Sequence, residues 1–566
     1  MKKIFPVLLS LACFAGPAPA APVGPINEAY ANKGMVSSSH ELASRAGVEI
    51  MQKGGNAVDA AVATALALNV VEPYNCGLGG GGFTMIRFAK TGEVVFLDYR
   101  EKAPAAATKD MFSSERAKAE AWSRNGGKAV AVPAFLLGMW EALKKYGAMS
   151  FAEVAGPAIR LAEEGFVLRP GQREQFEEAF PFLLKYNNPA ELPYLKDGRP
   201  LVPGDELKQP KLADALRLIA KKGPKVFYEG EIGKAIVAAV QKSGGNMTMD
   251  DLKTATVEFR APVEGVYRSH KIYSAPPASS GGTHVLQILN VMENFDPKVL
   301  KHNSAEYLNA LGQTMRLVFA DRDKYMADTA FVKAPLAGLV SKDYAKTLFK
   351  RINPKGKIME KGVAGDPWSF DGGARSDHKG GLGDEHHSTA HFSVVDAEGN
   401  IVASTNTINF WFGARVMAPE YQFLLNNQMD DFSSDPTSVN APEPGKRPLS
   451  SMSPTIVLAP DGKPYMTLGC AGFLRIIAGV AQIVMNAVDH GMNMDEAIQQ
   501  PRIWTGASGP SRVEKSFDEA ELKRLEAYGH QLDHDQVGIC QGILLRDGKI
   551  NGGAESTRSS GMAVGF

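Results

Sequence analysis

The sequence lacks any excess of charge, any cysteine-rich framework and, beyond its first 20 residues, any long apolar run. Its 566 residues include 62 basic and 62 acidic side chains, so the formal net charge is zero. That balance argues against a nucleic-acid or anionic-membrane partner, and the missing apolar runs argue against a transmembrane helix. The overall composition, 44% hydrophobic and 22% charged, is that of a globular protein. The chain is long enough to bury a large core.

The cysteines are few and far apart: Cys13, Cys76, Cys470 and Cys540. Their spacing excludes a CxxC metal site and a disulfide framework. Cys13 lies in an N-terminal leader, and the other three leave open whether one bridge forms.

The first 22 residues, MKKIFPVLLSLACFAGPAPAAP, have the pattern of a secretory signal peptide. Two lysines precede an apolar run from Ile4 to Phe14, and Ala18 to Ala20 supply a small-residue cleavage site. Cys13 does not fit a lipoprotein signal, because Ser10 stands three residues before it. We expect residues 1–20 to be removed and the mature protein to be periplasmic or secreted.

No Walker motif, HExxH or GxSxG nucleophile elbow is present. GLGGGG at 77–82 matches GxGxxG, but a helix is predicted before it and a strand after it, the reverse of a dinucleotide-binding fingerprint. It is interpreted as a loop where backbones approach closely. SSGG at 279–282 precedes a predicted helix, and a tight turn is favoured there over an anion site.

Hydrophobic patterning predicts a helix-rich first part and a strand-rich last part. Helices are predicted at 37–55 and 56–73, a hairpin at 83–100, and a long helix whose capping box is formed by Asn303 and Glu306. After residue 389 the turns AEGN, PDGK and DG predict three hairpins, with a helix at 476–491 between them. The economical architecture is α+β, a four-layer αββα sandwich of two stacked antiparallel sheets between helices.

The stretch EHHSTAHFSVVD, 385–396, allows two interpretations. Its histidines suggest zinc, but seven glycines among the 27 residues from Lys361 to His387 predict a segment too loose to order metal ligands. The alternative is cleavage between Ser388 and Thr389. Thr389 would then begin a buried strand, with a hydroxyl nucleophile and an α-amine whose ordinary pKa of about 7.7–8 suits a general base.

From about Val36 to Phe566 the sequence resembles the γ-glutamyltranspeptidase (glutathione hydrolase) family of N-terminal-nucleophile hydrolases. The matching stretches are NAVDAAVATALALNVVEP, GLGGGGF, DYREKAPAAAT, STAHFSVVDAEGN, NNQMDDF and KRPLSSMSPT. The resemblance implies a precursor that cuts itself before Thr389. Its large chain would span 21–388 and its small chain 389–566, both packed in one αββα unit without metal or organic cofactor.

The resemblance also implies the roles of individual residues. Thr389 matches the nucleophile, Thr407 the threonine that orients it, and Gly472 with Phe473 the pair of oxyanion-hole amides. Arg100, Ser450 and Ser451 match ligands of the donor's α-carboxylate, and Asn409, Gln428 and Asp431 match ligands of its α-ammonium group. The implied ligands are γ-glutamyl donors such as glutathione and amino-acid or peptide acceptors.

The sequence departs from the family pattern at two positions, and it has a short segment where some members of the family carry a longer loop. Ala390 replaces a second threonine at the cut, which predicts slower processing, and Phe473 replaces a glycine. If that position needs a positive φ, phenylalanine is strained by about 1–3 kcal/mol. With Phe410 and Trp411 nearby, we predict an altered acceptor preference. Only 13 residues separate Phe432 from Lys446, which predicts a pocket without a lid and tolerance of larger donors.

Two other functions remain open at this stage. One is a related acylase acting on glutaryl or β-lactam side-chain amides, which a glutaryl substrate without the α-amine would distinguish. The other is an uncut, inactive relative that only binds γ-glutamyl compounds or a partner, which Ala390 and Phe473 keep under consideration.

Overall fold

The computed structural model describes residues 28–373, 375–376, 380, 388–555 and 560–566. The predicted signal peptide and the histidines His386 and His387 lie outside this part of the chain.

Two seven-stranded antiparallel sheets form the centre of the molecule, as the sequence predicts. The first sheet has the strands, in spatial order, Ala29–Ala31, Lys549–Ala554, Ile539–Arg546, Pro464–Ala471, Thr455–Leu458, His270–Ser274 and Val263–Tyr267. The second has Met562–Gly565, Met35–Ser38, Ala390–Val395, Ile401–Thr407, Gly81–Arg87, Val94–Tyr99 and Glu258–Arg260. Thr389 therefore immediately precedes a central strand of the second sheet, Ala390–Val395.

Alternation along the strands divides the buried residues into two main clusters. In the second sheet, Phe83 and Met85 pack with residues of the first sheet, whereas Ile86 and Val402 pack with the helix Ala57–Val71. Since successive side chains of a strand point to opposite faces, this sheet contacts the first sheet on one face and helices on the other.

Most of the other regular secondary structure is helical. They span Glu41–Gln52, Ala57–Val71, Glu115–Ala119, Phe135–Tyr146, Phe151–Glu164, Arg173–Tyr186, Pro210–Lys222, Lys225–Tyr228, Glu231–Lys242, Met249–Lys253, Gly281–Met292, Ala305–Tyr325, Leu336–Leu339, Lys342–Phe349, Arg475–His490, Met494–Gln499 and Glu519–Ala527. Shorter strands are Phe166–Val167, Leu195–Lys196, Arg199–Pro200, Glu206–Leu207, Met417–Ala418, Phe423–Leu424, Ile503–Thr505, Ser511–Val513 and Leu532–His534. No helix in the described part of the chain is long and apolar enough to cross a membrane.

Local sequence signals explain several of the boundaries. Asn56 caps Ala57–Val71 by accepting hydrogen bonds from the amides of Val58 and Asp59, and Gly491 ends Arg475–His490 in the left-handed conformation with φ 67°. The four hairpins predicted at 83–100 and after residue 389 are confirmed.

Two predicted helix starts are wrong. The helix predicted from residue 37 begins at Glu41, because Met35–Ser38 pairs as a strand with Ala390–Val395. The long helix Ala305–Tyr325 is capped by the side chain of Ser304 rather than by Asn303, whose φ is 54°. In the first case a distant strand overrides local helix propensity.

A disulfide joins Cys470 to Cys540, whereas Cys76 is a buried free thiol. The two bonded cysteines face each other in neighbouring antiparallel strands. The bridge lies immediately before the segment Ala471 to Phe473, at one end of the active-site region described next.

Candidate active site

The bond between Ser388 and Thr389 is buried beside a second threonine. The hydroxyl of Thr389 donates to the carbonyl oxygen of Ser388, and Thr407 Oγ1 donates to the same oxygen at 3.1 Å. The two threonine hydroxyl oxygens are 3.4 Å apart, and the amide of Asn409 donates to Thr407 Oγ1 at 2.8 Å. A nucleophile thus lies against the carbonyl that precedes it, and Thr407 is itself held in place.

Ser388 is anchored on the other side of this bond. Its hydroxyl donates to the carbonyl oxygen of Tyr74 at 2.9 Å and to Asn75 Oδ1 at 3.1 Å. These contacts tie the cleavage site to the turn that follows the helix Ala57–Val71. Because Ser388 and Thr389 are both held in place, the hydroxyl of Thr389 stays next to the carbonyl group of Ser388, which favours an intramolecular attack.

The glycine-rich segment 77–82 allows the chain to pass close to this site. A Cβ atom on Gly80 would lie 2.2 Å from the carbonyl oxygen of Thr407, and one on Gly81 would lie 2.4 Å from Glu101 Oε2. The interpretation of this motif as a close backbone approach is confirmed, because neither position has room for a side chain.

Arg100 and Asp431 form a buried ion pair near the nucleophile. Arg100 Nη2 donates to Asp431 Oδ2 at 2.5 Å, and Gln428 Nε2 donates to the same oxygen at 2.6 Å. Burial raises the pKa of Asp431, and the guanidinium of Arg100 opposes that rise. Among the described residues no hydrogen bond reaches Asp431 Oδ1, so one oxygen remains for a further donor.

Arg100 also keeps part of its hydrogen-bonding capacity. Its Nε donates to the carbonyl oxygen of Pro448 at 3.2 Å, and Nη1 lies 3.8 Å from Glu101 Oε2. Burial raises the pKa of Glu101 to about 8, so this carboxyl is neutral at pH 7 and competes little for the guanidinium. A carboxylate ligand would find the Nη1 side of Arg100 available.

Ser450 and Ser451 are supported by a residue that the sequence did not reveal. Arg322, in the long helix Ala305–Tyr325, donates from Nη2 to Ser451 Oγ at 3.2 Å and from Nε to Ser280 Oγ at 2.8 Å. Burial lowers the pKa of Arg322 to about 10, and it stays charged. The sequence offered little signal, because Arg322 is one of two buried arginines, with Arg316, on a helix buried on nearly all sides that patterning assigns to the core.

The SSGG turn at 279–282 is part of this support. Ser280 Oγ donates to the carbonyl oxygen of Ser450 at 2.7 Å, and Ser279 Oγ donates to that of Met452 at 2.8 Å. The turn therefore fastens a helix to the serine segment, which agrees with the structural interpretation of this motif.

The predicted residues surround one small cavity of about 20 Å³. The residues that line it are Arg100, Ser388, Thr389, Thr407, Asn409, Gln428, Asp431, Ser450, Ser451, Met452, Phe473 and Ile476. Of the predicted site residues only Gly472 is outside this lining; it borders a second cavity of about 600 Å³, which Ser388 and Thr389 also line. The smaller space holds about one or two water molecules.

Gly472 and Phe473 both have positive φ, 125° and 55°. Phenylalanine is thus in the left-handed region, a conformation that costs about 1–3 kcal/mol for such a residue. Neither backbone amide donates a hydrogen bond to any described residue. Phe473 lines the small cavity, whereas Trp411 lines the larger one.

His391 has a structural position. Its ring is fully buried, with Nδ1 2.8 Å from Thr405 Oγ1 and Nε2 3.2 Å from Ser393 Oγ, and burial lowers its pKa to about 3. Across the described residues, no group of three or more His, Cys, Asp or Glu side chains is arranged to hold a metal ion. His386 and His387, the other two histidines considered for zinc, lie outside those residues.

The segment between Phe432 and Lys446 packs away from both cavities. The amide of Ser433 bonds to the carbonyl of Asn440 at 2.9 Å, and Lys446 Nζ donates to the carbonyl of Val439 at 2.8 Å. None of the residues 433–446 is among those that line either space.

Comparisons with known proteins show both a similar solved structure and the family of this chain. The structure superimposes on a cephalosporin acylase from Bacillus halodurans with a TM-score of 0.84 at 27% identity, covering 98% of this chain and 99% of the acylase. The profile of the Gamma-glutamyltranspeptidase family matches residues 43–565. The chain therefore belongs to the γ-glutamyltranspeptidase family, and the resemblance seen in the sequence is confirmed.

Two relatives with different activities in their names share the same sequence identity with this chain. The glutathione hydrolase proenzyme of Escherichia coli (strain K12) is 38% identical over 99% of this chain and 98% of its own length. The acylase ACY 1 proenzyme of Pseudomonas sp. (strain V22) is 38% identical over 89% of this chain and 88% of its own length.

Proposed function

We propose that this protein is a self-processing γ-glutamyltransferase and hydrolase that transfers the γ-glutamyl group of amides such as glutathione to water or to amino acids and peptides. The main support for the proposal is that the Thr389 hydroxyl donates a hydrogen bond to the Ser388 carbonyl oxygen. The buried ion pair of Arg100 and Asp431 lies in the same small cavity. Such a pair offers opposite charges to the α-carboxylate and α-ammonium groups of a glutamyl donor.

Maturation would follow from the same geometry. Thr389 Oγ1 attacks the Ser388 carbonyl carbon, the C–N bond breaks, and the nitrogen becomes the free amine of Thr389. Water then hydrolyses the Ser388 ester. The products would be a large chain of residues 21–388, after loss of the signal peptide 1–20, and a small chain of 389–566, packed together as an αββα sandwich.

In the uncut chain the Ser388 carbonyl lies where a donor's γ-carbonyl would have to lie. The small cavity, at about 20 Å³, has no room for a glutamyl group while Ser388 remains attached. Cleavage would therefore supply both the catalytic amine and the space for the donor.

Turnover would proceed in two steps. Thr389 Oγ1 attacks the donor's γ-carbonyl carbon, its proton passes through the α-amine to the leaving amine, and a glutamyl ester forms. Water or an acceptor amine then attacks the ester and restores the hydroxyl. Thr407 orients the nucleophile, and the amides of Gly472 and Phe473 stabilise the oxyanion.

The donor pocket would read the glutamyl group through its two charges. Arg100, with Ser450 and Ser451, binds the α-carboxylate, whereas Asp431, Gln428 and Asn409 bind the α-ammonium group. The short segment at 433–445 leaves larger donors, such as γ-glutamyl oligomers, access to the site. The Cys470–Cys540 bridge supports export, because disulfides persist in oxidising compartments such as the periplasm.

Denaturing mass spectrometry of the purified protein tests the proposal. We expect two chains, the smaller beginning at Thr389, and γ-glutamyl-p-nitroanilide turnover that depends on them. Thr389→Ala should remain one inactive chain, while Thr91→Ala, the same change in an exposed turn, should process normally. A Thr389→Ala protein that still cuts at this bond would refute the assignment. A single intact parent chain would favour the non-catalytic binding protein.

A second candidate, a glutaryl or β-lactam side-chain acylase, is favoured by the similarity to two acylases. Glutaryl-p-nitroanilide carries the carboxylate but not the α-amine. Faster turnover of this compound than of the γ-glutamyl anilide would replace the first proposal by the second.

A further inference from the structure

The proposed oxyanion amides lie in a short stretch, residues 472–474, between the strand Pro464–Ala471 and the helix Arg475–His490. We call this stretch the oxyanion segment. It runs beside residues 535–539, the facing segment: a Cβ atom on Gly472 would lie only 3.2 Å from the Cα atom of Gly538. The two backbones are therefore in contact at the first of the two oxyanion amides.

The two segments are tied together on both sides of this contact. On one side, the disulfide Cys470–Cys540 joins the strands that precede the oxyanion segment and follow the facing segment. On the other side, Arg475 Nη1 donates to Asp535 Oδ2 and to the carbonyl oxygen of Gln536, both at 2.8 Å. The oxyanion segment is thus held by a covalent tie before it and a charged tie after it.

The facing segment is itself anchored in the protein interior. Arg502, which is 1% exposed, donates from Nε to the carbonyl oxygen of Val537 at 2.9 Å and from Nη2 to that of Gly538 at 3.4 Å. The amide of Val537 donates to Glu514 Oε1 at 2.9 Å, and Arg502 Nη2 donates to the same oxygen at 3.0 Å. The two ties therefore connect the oxyanion segment to a fixed part of the core.

Phe473 is the residue that needs this support. Its φ of 55° is a conformation that residues with a bulky side chain rarely adopt, and such residues persist where the surrounding structure holds them in place. A return of φ to the common negative range would rotate the peptide group between Gly472 and Phe473. The N–H of Phe473 would then turn away from the position in which it could serve the oxyanion.

We propose that the Cys470–Cys540 disulfide and Arg475 act together as a clamp that positions the oxyanion amides of Gly472 and Phe473. The three clamp residues are positioning residues, because they act through these amides and not on the donor. The inference deepens the proposed function and rests on it, since it assigns the clamp to the oxyanion of that reaction.

Self-cleavage provides an internal reference, because the uncut chain holds its scissile carbonyl by other groups. The Ser388 carbonyl oxygen accepts hydrogen bonds from the hydroxyls of Thr389 and Thr407. The amides of Gly472 and Phe473 donate to no acceptor in the described part of the chain, this oxygen included. Loosening the clamp should therefore slow the turnover of donors and leave maturation unchanged, whereas general damage to the fold would slow both.

Hydrolysis of γ-glutamyl-p-nitroanilide by the processed protein, without an acceptor amine, measures the effect. We expect two variants, Cys470→Ser with Cys540→Ser and separately Arg475→Met, to lower kcat and kcat/KM equally, by about tenfold, and to keep KM. The loss is smaller than the roughly 100- to 1,000-fold cost of deleting an oxyanion donor, because the amide is loosened and not removed. Arg475→Lys keeps a cation beside Asp535 and should recover part of the loss.

Arg316→Met is the matched control for Arg475→Met. Arg316 is also 4% exposed and donates from Nη1 to a backbone carbonyl oxygen, that of Gly506, at 2.9 Å. It lines neither the small nor the larger cavity. This variant should keep both kcat and KM of the parent, and a tenfold loss of kcat here would show that removing any such buried arginine has the same effect.

Phe473→Gly tests the reason for the clamp. Glycine adopts a positive φ without strain, so it needs less support at this position. Opening the disulfide should therefore lower kcat about tenfold in the parent but about twofold or less in the Phe473→Gly background. Losses of equal size in the two backgrounds would show that the bridge does not act through Phe473 and would overturn the inference.

The outcomes distinguish this inference from the function on which it rests. Parent-like kcat in the serine variant and in Arg475→Met would overturn the clamp and leave the proposed function intact. A folded variant that stays uncut, or whose KM rises as kcat falls, would also overturn it, because the residues would then support the whole site. Processed parent protein that releases no p-nitroaniline would overturn both. The disulfide and Arg475 are tested independently, so one variant decides the matter if the other fails to fold.

Discussion

Asp431→Asn is the substitution that most directly tests how the donor pocket recognises its substrate. It replaces a carboxylate by an amide of nearly the same shape and removes the negative member of the pair with Arg100. A γ-glutamyl donor needs that charge for its α-ammonium group, whereas a glutaryl donor has no such group. We expect turnover of γ-glutamyl-p-nitroanilide to fall and turnover of glutaryl-p-nitroanilide to hold or rise.

The magnitude follows from burial. Asp431 is 8% exposed and the Arg100 side chain 1% exposed, so the charges interact with little screening by solvent. Removing one partner of a buried ion pair costs about 3–5 kcal/mol. The α-ammonium group loses a counter-charge of this kind in the variant, so kcat/KM for the γ-glutamyl anilide should fall about 10²- to 10⁴-fold. For the glutaryl anilide, loss of a like charge near the substrate carboxylate removes a repulsion.

The assay is the ratio of kcat/KM for the two anilides, measured on protein shown to be cut before Thr389. The matched control is Asp430→Asn, one residue away, whose carboxylate accepts hydrogen bonds from Ser123 Oγ at 2.5 Å and Arg124 Nε at 3.3 Å. It should leave the ratio near that of the parent. Equal losses on both anilides in Asp431→Asn would mean that Asp431 only supports the fold, and the charge argument would be refuted.

Three further predictions concern the surroundings of the pocket. Phe473→Gly should change the relative transfer rates among several acceptor amines, as predicted from the sequence; unchanged ratios would contradict it. Burial raises the pKa of Glu101 from 4.5 to about 8. The stability that the protonated carboxyl adds to the fold is therefore complete below pH 4.5 and is lost as the pH rises through about 8. Above that pH the ionised carboxylate also begins to compete with the donor for Arg100. Donor KM should therefore rise above about pH 8, and Glu101→Gln should remove that rise in a pH series; a rise that persists in the variant would count against this explanation. The paired change Cys470→Ser and Cys540→Ser opens a bridge between residues 70 apart and should lower the free energy of unfolding by about 2–4 kcal/mol, seen as a lower urea midpoint; an unchanged midpoint would show that the bridge does not stabilise the fold.

The hairpins were predictable because their information is local. Each one combines alternating apolar residues with a turn such as PDGK, and the structure pairs the flanking strands as expected, with Thr455 opposite Leu468 in one of them. The start of the first helix was not predictable, because Ser37 and Ser38 are strand residues through pairing with Ser393 and Phe392 on one side and with Ala563 and Met562 on the other, all more than 350 positions away. The local sequence does not indicate which distant segment a strand pairs with.

The same contrast applies to the site. Residues with a recognisable local motif, such as Arg100 in DYRE or Asp431 in NNQMDDF, could be named from the sequence, and the structure places them around one cavity. Arg322 could not, because its role depends on a helix brought against Ser451 by tertiary packing. The Cys470–Cys540 pairing likewise depends on the register of two strands, which the spacing of the cysteines does not reveal.

Overall similarity does not decide between the two proposed activities, because the chain is 38% identical both to a glutathione hydrolase and to an acylase. Both activities need an activated threonine, an oxyanion site and a cationic group for a carboxylate, so most of the fold is compatible with either. The difference lies in whether the pocket supplies a counter-charge for an α-ammonium group. Asp431 Oδ2 is occupied by Arg100 and Gln428, while Oδ1 has no partner in the described part of the chain. A buried carboxylate with one open oxygen would repel a glutaryl carboxylate and attract an ammonium group, so the γ-glutamyl activity is the one that this pocket favours.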